Sequence, residues 1–137
     1  MALTHLLDTS VISRLAEPSV RAVVDPLTEA GQLGRAGITD LEVGYGSRHA
    51  REWDQDMEAL SVFKPVETTA DHIQRARQLQ RLLASRSQRG RKIPDLLIAA
   101  AAEEAELIVL HYDADFDLIA KATGQRCQWV VPAGSID

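Results

Sequence analysis

Cysteine is all but missing from this chain. Cys127 is the only one in 137 residues, so neither an internal disulfide nor a cysteine-based metal knuckle can be built. Aromatic residues are scarce too, at 4%, and packing is the better use for Trp53 and Trp129 than stacking on bases. No run approaches the roughly 18 to 20 apolar residues of a membrane span, and Met1-Ala2-Leu3-Thr4-His5 lacks a basic region followed by a long apolar core. A cytoplasmic location without membrane attachment is therefore expected. The length of 137 residues excludes two full domains and leads us to expect residues 1–137 as one. A chain of this size buries about two thirds of the surface its unfolded form exposes, enough to fold by packing alone.

Acidic residues are absent from His72 to Pro94, where Arg75, Arg77, Arg81, Arg86, Arg89, Arg91 and Lys92 supply seven of the fifteen basic residues. Beyond Pro94 the sign reverses, with Asp95, Glu103, Glu104, Glu106, Asp113, Asp115, Asp117 and Asp137 against Lys121 and Arg126. The net charge of -5 thus hides a basic stretch, which is either a phosphate-gripping surface or a solvated helix face with an exposed loop.

Apolar spacing predicts alternating strands and helices. Strands are expected at Leu3 to Leu7, briefly within Gly34 to Thr39, where Ile38 is the only large apolar residue, at Val62 to Val66 on a sheet edge because of Pro65, at Leu107 to Leu110 and at Gln128 to Val131. Helices are expected after Asp8, over Val20 to Ala30, from Thr39, around Trp53 to Leu60, over Thr69 to Arg86 with Ile73, Ala76, Leu79 and Leu83 inward, from Pro94, and over Asp115 to Thr123. The expected fold class is α/β, a short parallel sheet with helices on both faces.

In such sheets the crevice lies beyond the carboxyl ends of the strands, where Asp8 and Asp113 fall, while Glu42 and Asp95 sit in first helical turns. Four converging carboxylates suit Mg²⁺ or Mn²⁺ rather than Zn²⁺. Each acid also fits a local role. Asp8 or Ser10 can cap the first helix, Thr39 and Glu42 fit a capping box, Asp95 is an ordinary first-turn acid, and Asp113-Ala114-Asp115 reads as a turn.

Leu6-Leu7-Asp8-Thr9-Ser10, the run from Ile38 to Gly46, the run from Ile93 to Ala100, and Asp113-Ala114-Asp115-Phe116 together resemble the successive motifs of PIN-domain nucleases, above all the VapC toxins of bacterial toxin-antitoxin pairs. The resemblance implies a PIN-like fold in which Asp8, Glu42, Asp95 and Asp113 hold Mg²⁺, with Asp115 a fifth ligand and Ser10 steadying the cluster. It further implies hydrolysis of RNA by water, a homodimer, and neutralisation by a small antitoxin. Arg86, Arg89, Arg91 and Lys92 would hold the RNA backbone, and Ser10 would face substrate. His111 departs from the pattern, standing where the family commonly has a small hydroxyl residue. It could hydrogen-bond the cluster, contact substrate or pack. His5, His49 and His72 read as structural or surface residues, and Cys127 as core. Two other readings remain: a PIN-fold binding module with a degenerate site, and a haloacid-dehalogenase-like phosphohydrolase, which wants an acid where this chain has Ser10.

Overall fold

Adjacent leucines in the first strand face opposite ways, and each finds its own core. A computed structural model of the chain describes residues 2–88 and 92–137. In it β1 (His5–Leu7) pairs with β2 (Leu33–Ala36) on one side and β4 (Ile108–His111) on the other, and β3 (Lys64–Val66) and β5 (Cys127–Trp129) complete the order β3-β2-β1-β4-β5. Every pairing is parallel, with Leu6 opposite Gly34 and Val109. Leu6 and Val109 point into one cluster with Leu79, Leu83, Ile98, Phe116 and Ile119, from α5 (Ala70–Ser85), α6 (Ile93–Ala105) and α7 (Asp115–Thr123). Leu7 and Leu110 point into the other, with Val20, Val24 and Leu60 from α2 (Pro18–Glu29) and α4 (Ala50–Leu60). Helices cover both faces, as a fully buried parallel sheet requires.

Several local expectations hold. Pro65 lies in the edge strand β3, where its missing N–H breaks no central ladder. Pro94 sits in the first turn of α6, and Leu96, Ile98 and Ala99 to Ala102 are all buried. Gly124 ends α7 at a φ of 78°, a conformation that a side chain would strain.

Others do not. The second strand, expected within Gly34 to Thr39, exists but runs Leu33–Ala36, and Ile38 belongs to α3, which spans Gly37–Tyr45 and begins two residues before Thr39. The Thr39 capping box does not form, because Thr39 lies inside the helix rather than ahead of it. The helix after Asp8 shrinks to the single turn α1 (Thr9–Ile12). On α5 the inward position is taken by His72, while Ile73 is 45% exposed. His72 tolerates burial because one ring nitrogen accepts from the Thr69 N–H at 3.3 Å and the other meets a Glu104 oxygen at 3.1 Å. Cys127 is only partly buried, and desolvation pushes its thiol up to about 12, so it stays protonated.

Candidate active site

The strand order changes direction at β1, whose two neighbours lead to chain segments on opposite sides, and ligands in open α/β sheets lie off the strand ends at such a point. Asp8 follows β1 there and Tyr112-Asp113 follow β4. A cleft of about 500 Å³ opens between them, lined by Asp8, Thr9, Ser10, Arg14, Glu42, Lys92, Asp95, Tyr112 and Asp113 among others. All four acids expected to converge do so.

The local roles of these acids turn out to be means of positioning them. Asp8 does cap α1, its Oδ2 accepting from the Ser10 N–H at 3.0 Å, and this fixes the carboxylate at the cleft floor. Ser10 reaches the other way, its Oγ accepting from the Tyr112 N–H at 2.9 Å, and so braces the loop that carries Asp113. Asp113 Oδ1 accepts from the Asp115 N–H at 2.9 Å and its Oδ2 from Lys92 Nζ at 2.7 Å. Glu42 is held by Thr9, whose hydroxyl donates to Oε1 at 2.6 Å.

Asp95 differs from the rest. It is 4% exposed, and its buried Oδ2 has no hydrogen-bond partner among the described residues. Burial first, and then repulsion from Asp8, push its carboxyl up to about 7, with Lys92 pulling the other way. Oxygens of Asp95, Asp113 and Asp115 lie within 4.8 Å of one another. Burial also raises Asp8 and Glu42 above their ordinary range, each restrained by hydrogen bonds, from Ser10 and Thr9 respectively. For Asp113 the cost of burial is outweighed by hydrogen bonds from Lys92 and the Asp115 N–H, which leave it below the usual carboxylate value. A buried carboxylate oxygen with nothing to bond, facing other carboxylates, is a donor set completed by a hard cation, so the residues fit a divalent metal ion.

A family model described as PIN domain matches residues 5–122, and Ribonuclease VapC51 of Mycobacterium tuberculosis is 67% identical over 137 residues, all of both chains. The chain is a PIN-domain protein of the VapC family. Ribonuclease VapC21 of the same organism is 41% identical, across 98% of this chain and 99% of that one. A VapBC complex from Salmonella typhimurium, solved bound to DNA, has a TM-score of 0.77 at 18% identity and covers 94% of this chain and 99% of that one. FitAcB from Neisseria gonorrhoeae follows at 0.72 and 21%, covering 93% and 98%. At those identities the likeness is one of fold.

In this VapC chain His111 braces the loop that carries Asp113. Its Nδ1 accepts from the Asp113 N–H at 3.1 Å and so holds the backbone that carries Asp113. The ring is fully buried against Phe116 and Trp129, with centroids at 5.0 Å from each, and burial lowers its pKa to about 4. His111 is therefore neutral at physiological pH, and it does not line the cleft. Trp129 packs against His111 and Tyr112 and donates from Nε1 to Asp117 at 3.0 Å, in keeping with a packing role.

The basic segment is brought together only in part. Lys92 enters the cleft, whereas Arg86 is exposed at the C-terminal cap of α5 and does not line it. Arg89 and Arg91 lie outside the described residues. Sequence reasoning missed Thr9, Arg14 and Tyr112. Thr9 adjoins Asp8 and could have been suspected as a hydroxyl at a strand end, but its partner is 33 residues away.

Proposed function

We propose that this chain is an Mg²⁺-dependent ribonuclease toxin, with Mn²⁺ able to replace Mg²⁺, and that Asp8, Glu42, Asp95 and Asp113 are its metal-holding catalytic acids with Asp115 a fifth ligand. The observation that carries this reading is the buried, partnerless Oδ2 of Asp95 beside Asp113 and Asp115. A divalent ion held by these carboxylates would supply Lewis acidity towards water and the phosphate oxygens. The chain's residues do the rest. Thr9 orients Glu42, Ser10 fixes Asp8 and the Asp113 loop, and neutral His111 holds the Asp113 backbone. Lys92 and Ser10 face substrate in the cleft, and Arg86, Arg89 and Arg91 extend the grip on RNA backbone, a contact that positions a strand without reading its sequence.

Residues 1–137 act as one PIN domain in the cytoplasm, consistent with the finding that no helix among the described residues is long and apolar enough to cross a membrane. A small antitoxin silences the toxin. The toxin works as a homodimer, and the exposed Leu41, Tyr45 and Ile93, close in sequence to Glu42 and Asp95, are side chains that a second copy would cover.

The test is digestion of total RNA with Mg²⁺, with Mn²⁺ and with EDTA, by the wild type and by Asp8→Asn, Glu42→Gln, Asp95→Asn and Asp113→Asn. Cleavage should need the metal and vanish in each variant, while Glu103→Gln, whose carboxylate pairs with Arg75 away from the cleft, should cleave normally. Cleavage by Asp95→Asn at wild-type rate under limiting Mg²⁺ would overturn the assignment.

A further inference from the structure

Arg14 is a charged cleft residue that the catalytic scheme leaves unused. Its guanidinium is oriented on three sides. Nη1 donates to the Ser10 carbonyl at 2.8 Å and to Ser13 Oγ at 3.3 Å, and the guanidinium carbon lies 4.8 Å from the centre of the Tyr112 ring. The Nε and Nη2 edge is the planar fork that matches a carboxylate or a phosphate.

That edge is filled by the chain itself. Asp137 accepts from Nε at 3.1 Å and from Nη2 at 2.9 Å. The segment carrying Asp137 is draped over Tyr112, whose hydroxyl donates to the Ile136 carbonyl at 2.7 Å and accepts from the Gly134 and Ile136 N–H groups at 3.0 and 3.3 Å. The Asp137 side chain is 54% exposed, so its hold on Arg14 is that of a screened surface pair. An oriented fork on the wall of an acidic cleft, occupied by a weakly held carboxylate, is an anion site with a stand-in in place.

We propose that Arg14 forms a backbone-phosphate subsite for RNA in this cleft, and that the Asp137 carboxylate occupies it until a phosphodiester displaces it. The subsite rests on the ribonuclease reading above. It answers an electrostatic need, since the carboxylates on the cleft floor repel an incoming strand and Lys92 is already tied to Asp113. Displacing Asp137 exchanges one anion for another on an arginine that Tyr112 and Ser10 keep aimed.

Arg14→Gln and Asp137→Asn break the same ion pair, and this makes the subsite testable. In an Asp8→Asn background, which prevents cleavage, the affinity for a labelled single-stranded RNA oligonucleotide is measured by anisotropy across a salt series, with thermal melts in parallel. Arg14→Gln should weaken binding about tenfold and reduce the log-log salt slope by about 0.7, the share of one phosphate contact on a single strand. Asp137→Asn should tighten binding, by up to about fivefold, while lowering the melting temperature as Arg14→Gln does. Combined with Arg14→Gln, it should add nothing. If both variants weaken binding alike, leave it unchanged, or if Asp137→Asn tightens it equally without Arg14, the pair is only a latch for the chain segment and the subsite is refuted. Failure of the ribonuclease reading looks different, because the otherwise wild-type protein would then not cleave RNA in Mg²⁺ at all.

Discussion

Replacing Asp95 by asparagine should stabilise the metal-free protein, and by an amount that depends on pH in a defined direction. The folded carboxyl titrates at about 7 against an ordinary value of 3.8. A carboxyl raised on folding holds its proton more tightly in the native state, so its penalty is absent below 3.8, grows as pH rises and is complete above 7. The gap is worth about 4 kcal/mol if nothing relaxes, and access of water to the open cleft lowers that to roughly 2 to 4 kcal/mol. Asparagine keeps the shape and loses the charge. The stability difference between Asp95→Asn and wild type should thus grow in the variant's favour by about 2 to 4 kcal/mol between pH 4 and pH 8.

His111 pulls the opposite way, its pKa lowered on folding from 6.5 to about 4, so its contribution falls away as pH drops through that window. Both proteins carry it, and it cancels in the difference. The assay is urea unfolding of EDTA-treated protein at pH 4, 5.5, 7 and 8, read by circular dichroism. Mg²⁺ at about a hundred times its Kd should then add about 2.7 kcal/mol to the wild type and far less to the variant. A difference constant with pH to within about 0.5 kcal/mol, the ordinary scatter of such comparisons, would refute the claim that Asp95 is buried as a strained acid.

Thr9→Val should lower cleavage several-fold and weaken Mn²⁺ binding in calorimetry by less than Glu42→Gln does, because it frees the carboxylate without removing it; unchanged Mn²⁺ affinity would show that Thr9 positions nothing. Arg86→Gln should reduce RNA affinity and flatten its salt slope with no effect on metal binding, whereas Lys92→Gln should do both and also raise Mn²⁺ affinity, since its ammonium competes for Asp113. His111→Ala should destabilise the fold by about 3 kcal/mol or more, combining a cavity with an unpaired Asp113 N–H, while His111→Asn, which retains an acceptor, should recover part of that loss in thermal melts.

The sequence was most legible where structure is local. A uniformly apolar run behind Pro94 revealed α6, Gly124 marked the end of α7, and a proline marked the edge strand β3. It was least legible at β2, where Gly34 is buried by its neighbours rather than by any side chain of its own: a Cβ there would lie 3.0 Å from Leu3 and 3.2 Å from Val66. A strand so short of apolar side chains gives no periodic signal, and Ile38 drew its expected end into the next helix. Ile73 misled for the converse reason, being apolar yet exposed, while the inward place goes to His72 with both ring nitrogens engaged.

At the cleft, Asp8 and Asp113 could be placed because parallel strands all end on the same side, so topology does the work of distance. The pairs Thr9 with Glu42 and Arg14 with Tyr112 could not, since they join two helices in the first case and two connecting segments in the second, whose relative placement no local spacing encodes. Asp95 marks the boundary between the two. Read locally it is an acid in the first turn of a helix, where exposure and the macrodipole would make its charge favourable. Packed, it is buried beside Asp8, Asp113 and Asp115, and its charge is unfavourable enough to bring its titration to about 7. A role confined to helix capping would have left that carboxylate exposed and hydrogen-bonded. The reversal of its electrostatics on folding is what calls for a cation, and it arises only when β1, α6 and the segment after β4 meet.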